Sequence, residues 1–190
     1  MDFGLTETQE LIRASAREFL EDRSKSDIVR AVAEGDNEAI SSLWKDIVAL
    51  GWPSLTISED HAGAGMSFSD LAVLLEELGA SLAPTPLVES SISSWIIERF
   101  APDSLKSDML PQIANGDILI TPAIVEQDAS WDPESTKVAA TRSGSSLVIT
   151  GEKRFVAFAE QATHALTLVR IDNEEPVLVA IPIWKADGFE

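Results

Sequence analysis

The sequence predicts an α+β protein of two parts: an all-α helical bundle over residues 1–116, then a small antiparallel β domain over 117–190. Three observations predict it. Up to about residue 115, apolar residues recur at the three- and four-residue spacing of a helix face, as in Leu11/Ile12, Ser15/Ala16 and Phe19/Leu20. After Gly116 the signal changes to short runs rich in β-formers, separated by turn residues. And a chain of 190 residues, 45% apolar and 24% charged, has core enough for one large or two small globular parts.

The elements follow in order. Thr6-x-x-Gln9 reads as a capping box opening a first helix. A second carries Ile40, Leu43, Trp44, Ile47 and Leu50, with Gly51 as its stop. The Pro- and Gly-bearing stretch 52-WPSLTISEDHAGAGMS-67 sustains neither period and is a loop, its glycines supplying positive φ. In 69-SDLAVLLEELGASLAP-84, Ser69 is the expected N-cap and Leu71, Leu74, Leu75 and Leu78 the apolar face. Residues 87–100 form another helix, expected to bury Ile92, Trp95, Ile96 and Phe100. A shorter helix runs from Asp103 towards Asn115-Gly116, with Pro111 expected to kink or break it. Strands are expected over 117–125, 137–142, 146–151, 163–170 and 176–183, with Ser143-Gly144-Ser145 as a hairpin turn. They would close a barrel or form an open sandwich. The chain ends at 184-WKADGFE-190, straight after an apolar strand. Either the last strand ends the fold, or the sequence stops between domains. In both cases an apolar sheet face is left for a partner.

Charge and composition exclude several function classes. With 32 acids against 14 bases the formal net charge is −18. Residues 51–100 hold Glu59, Asp60, Asp70, Glu76, Glu77, Glu89 and Glu98 against Arg99 alone. Such a surface repels phosphate backbones and anionic lipid, so no nucleic acid is expected as a partner. Without cysteine there is neither a disulfide nor a thiolate metal site. The start, MDFGLTETQE, has no basic n-region and no apolar run, and no stretch approaches ~20 apolar residues. We therefore expect a cytoplasmic chain without a membrane span.

Conventional catalytic constellations are poor. His61 and His164 stand far apart with no partner at metal spacing, and both read as structural or surface residues. His61-Ala62-Gly63-Ala64-Gly65 lacks the spacing of a dinucleotide or phosphate loop. Glu76-Glu77 are adjacent on a helix and do not face each other, so they are no acid/base pair. No residue stands out as a general base, and the residues point to a binding half or a scaffold.

Three segments resemble the flavin-dependent acyl-CoA dehydrogenase family. The first, 50-LGWPSLTISEDHAGAGMS-67, resembles its Leu-Gly-Trp, extended run and Gly-Gly loop, with Gly63 and Gly65 matching. The second, 76-EELGASLAPTPLVES-90, resembles Glu-Glu-Leu-Gly followed by Leu-Ala-Pro-x-Pro and is the most specific. The third, 148-VITGEKRFVAFAEQATHALTLVR-170, resembles Leu-x-Gly-x-Lys, an apolar run and a strand. Their order and spacing extend over nearly the whole chain.

The resemblance implies an N-terminal helical domain and a middle β domain, with a C-terminal helical domain, which carries the catalytic carboxylate, lying outside this sequence. It implies FAD as cofactor, an acyl-CoA thioester as substrate, an electron-transfer acceptor, and a homo- or hetero-oligomer with a similar subunit. It also places 122-PAIVEQDASWDP-133 where the family carries Thr-Glu-Pro-x-x-Gly-Ser-Asp at the end of the first β-domain strand. Glu126 and Asp132 match the acids. Ile124 and Val125 lie at the flavin edge, with Val125 in place of a Thr, and Trp131 stands where a Ser meets phosphate. Phe155 takes the place of a Trp packed on the ring, and Ala157 that of a hydroxyl residue near N5. Each missing hydrogen bond is worth about 0.5–1.5 kcal/mol, so flavin affinity is expected to be reduced.

No catalytic residue is expected in this chain. The resemblance implies α,β-desaturation of an acyl-CoA, with this chain as component or fragment. The alternatives are a non-catalytic partner subunit of a heteromeric dehydrogenase for bulky, steroid-like thioesters, and, more remotely, a flavin monooxygenase or oxidase on the same fold.

Overall fold

The computed structural model describes residues 4–144, 146–172 and 174–183, which form two compact units divided between Asp117 and Ile118. The tail 184–190, and Ser145 of the expected hairpin turn, lie outside the described residues.

In the helical unit, α1 (Glu7–Arg23) begins at the expected capping box. Gln9 N–H donates to Thr6 Oγ1, and Thr6 N–H donates back to Gln9 Oε1. A short α2 (Ser26–Ala33) was not expected from the sequence. It buries no residue fully: Ile28, Val29 and Val32 share one half-buried face, but over only two turns. Helix α3 (Asn37–Ala49) is capped by Asp36, whose carboxylate accepts from Glu38 and Ala39 N–H. Helix α4 (Phe68–Ala80) starts at Ser67 and not at the expected Ser69. Ser67 and Asp70 form a reciprocal capping box there, and Ser69 lies inside the first turn.

Leu20, Leu43, Ile47, Leu71, Leu74, Leu78 and Leu87 form one core with Trp52, whose ring meets Phe19 edge-on at 5.2 Å. Helices α1 and α4 are also joined by charge. Arg17 grips Glu77 through Nε at 3.0 Å and Nη2 at 2.7 Å. The Arg17 hydrogen bond, opposed by partial desolvation, holds the Glu77 carboxyl below its ordinary range. Glu76 hydrogen-bonds Arg13 at 3.1 Å, so the Glu76-Glu77 pair is a helix-to-helix clamp.

The 52–66 connection is a loop containing single 3₁₀ turns at Trp52–Ser54 and Glu59–His61. Its glycines play different parts. Positive φ falls on Ala62 and Gly65, whereas Gly63 is required by space: a Cβ there would lie 1.9 Å from the Ile57 carbonyl oxygen. His61 sits in this loop with Nδ1 3.0 Å from Ser58 Oγ, while Glu98 accepts from Ser58 N–H at 3.0 Å.

Helix α5 (Leu87–Phe100) has its expected limits but the opposite orientation. Ile92, Trp95 and Phe100 are exposed, and Ser90, Ser91, Ser93 and Ser94 are buried with Leu87 and Ile97. Outside, Trp95 lies edge-on between Phe68 (5.7 Å) and Phe100 (6.1 Å), with Arg99 over its ring. Inside, small serines allow close approach of neighbouring elements. Helix α6 (Asp103–Ala114) passes through Pro111 without breaking. The carbonyl that Pro111 cannot reach belongs to Ser107, which is exposed and open to water.

The β unit has five strands: β1 (Ile120–Ala123), β2 (Ala139–Ser143), β3 (Ser146–Thr150), β4 (His164–Ile171) and β5 (Pro176–Pro182). A helical part followed by a β part is what the sequence predicts, but the sheet is mixed rather than wholly antiparallel. β2–β3 and β4–β5 are antiparallel, whereas β1 and β2 both run parallel to β4. Nothing in local periodicity distinguishes these pairings. β5 covers one edge of β4 from His164 to Arg170. Along the other edge β1 pairs with 164–167 and β2 with 170–171, end to end.

Two substitutions test this packing by denaturant midpoint. Gly63→Ala drives a Cβ into backbone and should destabilise the helical unit by about 1–3 kcal/mol or more. Ser93 is fully buried, with no partner for its hydroxyl among the described residues. Ser93→Ala should therefore be neutral or stabilising, by up to about 1 kcal/mol.

Candidate cofactor site

Because β1 and β2 occupy successive parts of one edge of β4, residues 124–138 must leave that edge and return to it. The detour is organised by Glu126, which is only 8% exposed. Its carboxylate accepts from the N–H groups of Lys137 (3.0 Å) and Val138 (3.3 Å) and from Lys153 Nζ at 2.8 Å. Lys153 Nζ also donates to the Ile124 carbonyl at 3.1 Å. Burial, the largest single influence on Glu126, pushes its carboxyl up. The Lys153 hydrogen bond and the two backbone donors together outweigh it and hold the group below the ordinary glutamate range.

The remainder of the loop is held by short-range bonds. Asp128 accepts from Ser130 N–H and Lys137 Nζ. Ser130 Oγ accepts from Asp132 N–H, and Asp132 caps the Pro133–Ser135 turn by accepting from Glu134 N–H at 3.0 Å. From β4, the Arg170 guanidinium donates to the carbonyls of Thr136 and Glu134.

The second segment, 151–158, follows β3. Gly151 has φ +146, and a Cβ on it would lie 2.7 Å from Val138 Cγ2, so a side chain would push the turn off β2. Beyond it, Lys153 meets Glu126, Arg154 N–H donates to the Val125 carbonyl at 2.7 Å, and Thr121 Oγ1 donates to the Ala157 carbonyl at 2.8 Å.

Of the residues expected at a flavin, Ile124 and Val125 are half-buried on the first segment. Phe155 and Ala157 are exposed on the adjoining second one. Phe155 is 89% exposed and held at φ +55, a conformation uncommon for a bulky side chain. Trp131 is 76% exposed and, with Ile124, Glu126 and Leu168, lines a cleft of about 30 Å³, room for roughly one water. The structure thus brings Ile124, Val125, Phe155 and Ala157 onto one stitched surface, with Trp131 beside it at the cleft.

Lys153 is the residue that reading the site from sequence missed. Its signal is the Gly-x-Lys spacing after β3, but its partner Glu126 lies 27 residues away.

The surface suits the face of a planar, apolar ring better than a phosphate. The nearby hydroxyls of Thr121 and Thr167 donate to the carbonyls of Ala157 and Ala123. Lys153 and Lys137 are paired with Glu126 and Asp128, and Arg154 with Glu152. Polar contacts to a ring edge would come from backbone N–H groups of these loops, and the apolar contact from Val125, Phe155 and Trp131.

Residues 6–117 match the acyl-CoA dehydrogenase N-terminal domain. The chain is 31% identical over 160 residues to the acyl-CoA dehydrogenase FadE12 of Mycobacterium tuberculosis, covering 80% of this chain and 41% of that protein. It is 30% identical over 178 residues to (2S)-methylsuccinyl-CoA dehydrogenase of Cereibacter sphaeroides, covering 90% of this chain and 31% of that one. A variant of the Tcur3481–Tcur3483 steroid ACAD superposes with a TM-score of 0.80 at 26% identity, over 96% of this chain and 50% of its own. The ChsE4–ChsE5 complex from Mycobacterium tuberculosis shares the fold, with a TM-score of 0.82 at 24% identity over 100% of this chain and 50% of its own. This chain therefore spans about half, or less, of the length of the proteins it matches.

The Glu126 contacts fix a pH dependence. A carboxyl whose folded pKa is depressed adds stability that is fully present above its unfolded value, about 4.5, and is lost as pH falls through the folded value. Stability of the β unit should fall on acidification below about pH 4.5. The Glu126→Gln variant should show a shallower acid limb in denaturant melts across pH 3–6.

Proposed function

We propose, from the premise that this chain belongs to the acyl-CoA dehydrogenase family, that it is a component of a flavin-dependent oxidoreductase introducing a Cα–Cβ double bond into an acyl-CoA thioester. The observation that carries this reading is the stitched surface of the β unit. The two segments expected to meet a flavin, 124–125 and 155–157, adjoin each other and are joined by the Arg154-to-Val125 and Thr121-to-Ala157 hydrogen bonds.

The residues fit an FAD isoalloxazine through apolar packing by Val125, Phe155 and Trp131 and through backbone donors. FAD, when bound, supplies the hydride acceptor of the reaction. The chain's own part is to present a dry face to one side of that ring and to hold it by main-chain groups. Glu126 is no candidate for the proton-abstracting base: it is buried, its oxygens are taken by four donor contacts, and its carboxyl is already ionised in its ion pair. A base from elsewhere in the complete enzyme would remove the α proton.

A second reading has its own support. Val125, Trp131 and Ala157 offer no hydroxyl, and the hydroxyls of Thr121 and Thr167 are committed to carbonyls. A surface with so few polar contacts fits a subunit that lends structure to a flavin-bearing partner in a heteromeric enzyme for bulky acyl groups. The steroid ACAD and ChsE4–ChsE5 relatives give this reading its model.

Titrating the purified chain with FAD, by quenching of the flavin fluorescence, separates the two. Saturable one-to-one binding supports the component reading, and no binding supports the partner subunit. In the first case Val125→Thr should tighten FAD by about 2- to 10-fold, the value of one restored hydrogen bond.

A further inference from the structure

We infer that Lys153 is a positioning residue: its buried ammonium, shared between Glu126 and the Ile124 carbonyl, locks segments 124–126 and 153–157 into one platform already shaped for a planar ring. The inference rests on the proposed flavin-facing role of that surface and gives two residues that organise the detour a further task. The sheet cannot do this work. β1 pairing ends at Ala123 and β3 pairing at Thr150, so the two segments meet outside every strand ladder.

Four bonds cross between them or their immediate flanks. They are Lys153 Nζ to Glu126 (2.8 Å) and to the Ile124 carbonyl (3.1 Å), Arg154 N–H to the Val125 carbonyl (2.7 Å), and Thr121 Oγ1 to the Ala157 carbonyl (2.8 Å). Lys153 supplies two of the four, and its side chain is only 8% exposed.

An ammonium suits this position. It is a compact charge with three donors, able to reach a carboxylate and a carbonyl in different directions. Because the pair is buried, removing either partner leaves the other desolvated and unpaired, so the joint is a tight one. The strained residue lies two positions on. Phe155 persists at positive φ with its ring in solvent, and such a conformation holds only where its surroundings fix it. The bonds at 153 and 154 fix it from one side and that at 157 from the other. Glu126 meanwhile ties the same joint to the start of β2 through Lys137 and Val138, so one buried pair governs both segments and the return of the detour.

The test is amide hydrogen exchange together with FAD titration on the full chain, comparing the parent with Lys153→Met. The expected result is exchange at least about 10-fold faster at the Arg154 and Val138 amides, with a clearly smaller change at Leu166 and Val169 in β4, and FAD affinity about 10-fold weaker. Exchange within twofold of the parent at Arg154 and Val138 would overturn the inference. If Lys153→Met does not fold, Glu126→Gln decides by the same local criterion. Loss of protection at β4 as large as that at the loop in that variant also overturns the inference, since the pair would then hold the sheet and not the platform. If the parent binds no FAD, the flavin reading of the surface fails, and the exchange measurements still decide whether Lys153 sets its shape.

Discussion

A carboxylate and an ammonium buried side by side bind two segments to each other, because neither can be left there alone. Separating them leaves a charge without water or partner. In the β unit the Glu126–Lys153 pair occupies the place where β1 has left β4 and β2 has not yet joined it. The pair holds the Ile124 carbonyl, the first residues of the returning strand, and the turn after β3. The conformation of Phe155 and the shape of the surface beside it follow from that joint. The sheet provides the frame, and the ion pair decides what the frame presents.

The helices and strands were legible wherever they bury a periodic apolar face. Leu71, Leu74 and Leu78 announce α4, and the β-rich run at 163–170 announces β4. What escaped reading shares one physical cause: the deciding interaction is tertiary. α2 has only a two-turn, half-buried face. The N-cap of α4 moved from Ser69 to Ser67 because Asp70 completes a box with Ser67. In α5 the packing of four serines outweighed the apolar residues, so a pattern read by hydrophobicity alone was reversed. The mixed pairing of the sheet follows from which edge each strand reaches, and no local period records that. At the candidate site, the family-like segments fall on two loops that adjoin each other. The interaction that joins them links residues 126 and 153, each ordinary by itself.

The distribution of cations sharpens this picture. The chain has 14 bases against 32 acids. Several of those bases link elements distant in sequence: Arg13 and Arg17 join α1 to α4, Arg23 reaches Asp46 of α3, Lys153 serves the loop joint, and Arg170 holds the 134–136 turn. Each pairs a scarce positive charge with an acid or a carbonyl that would otherwise face its own kind. The negative excess is left on the surface, where solvent screens it. In this protein five of the fourteen bases tie distant elements together.

The shared edge of β4 has an evolutionary consequence. β1 and β2 take their register from the same strand, and Glu126 ties the return at Lys137 and Val138, so the tip at 127–131 connects two fixed points without setting either. Lengthening such a connection costs little, because closure entropy grows only with the logarithm of its length. Residues 127–131 can therefore gain, lose or exchange side chains while both strands stay in register. Diversification can act at the tip of this loop and leave its roots at 126 and 153 alone, so that relatives built on one sheet can differ in what the loop offers to its surroundings.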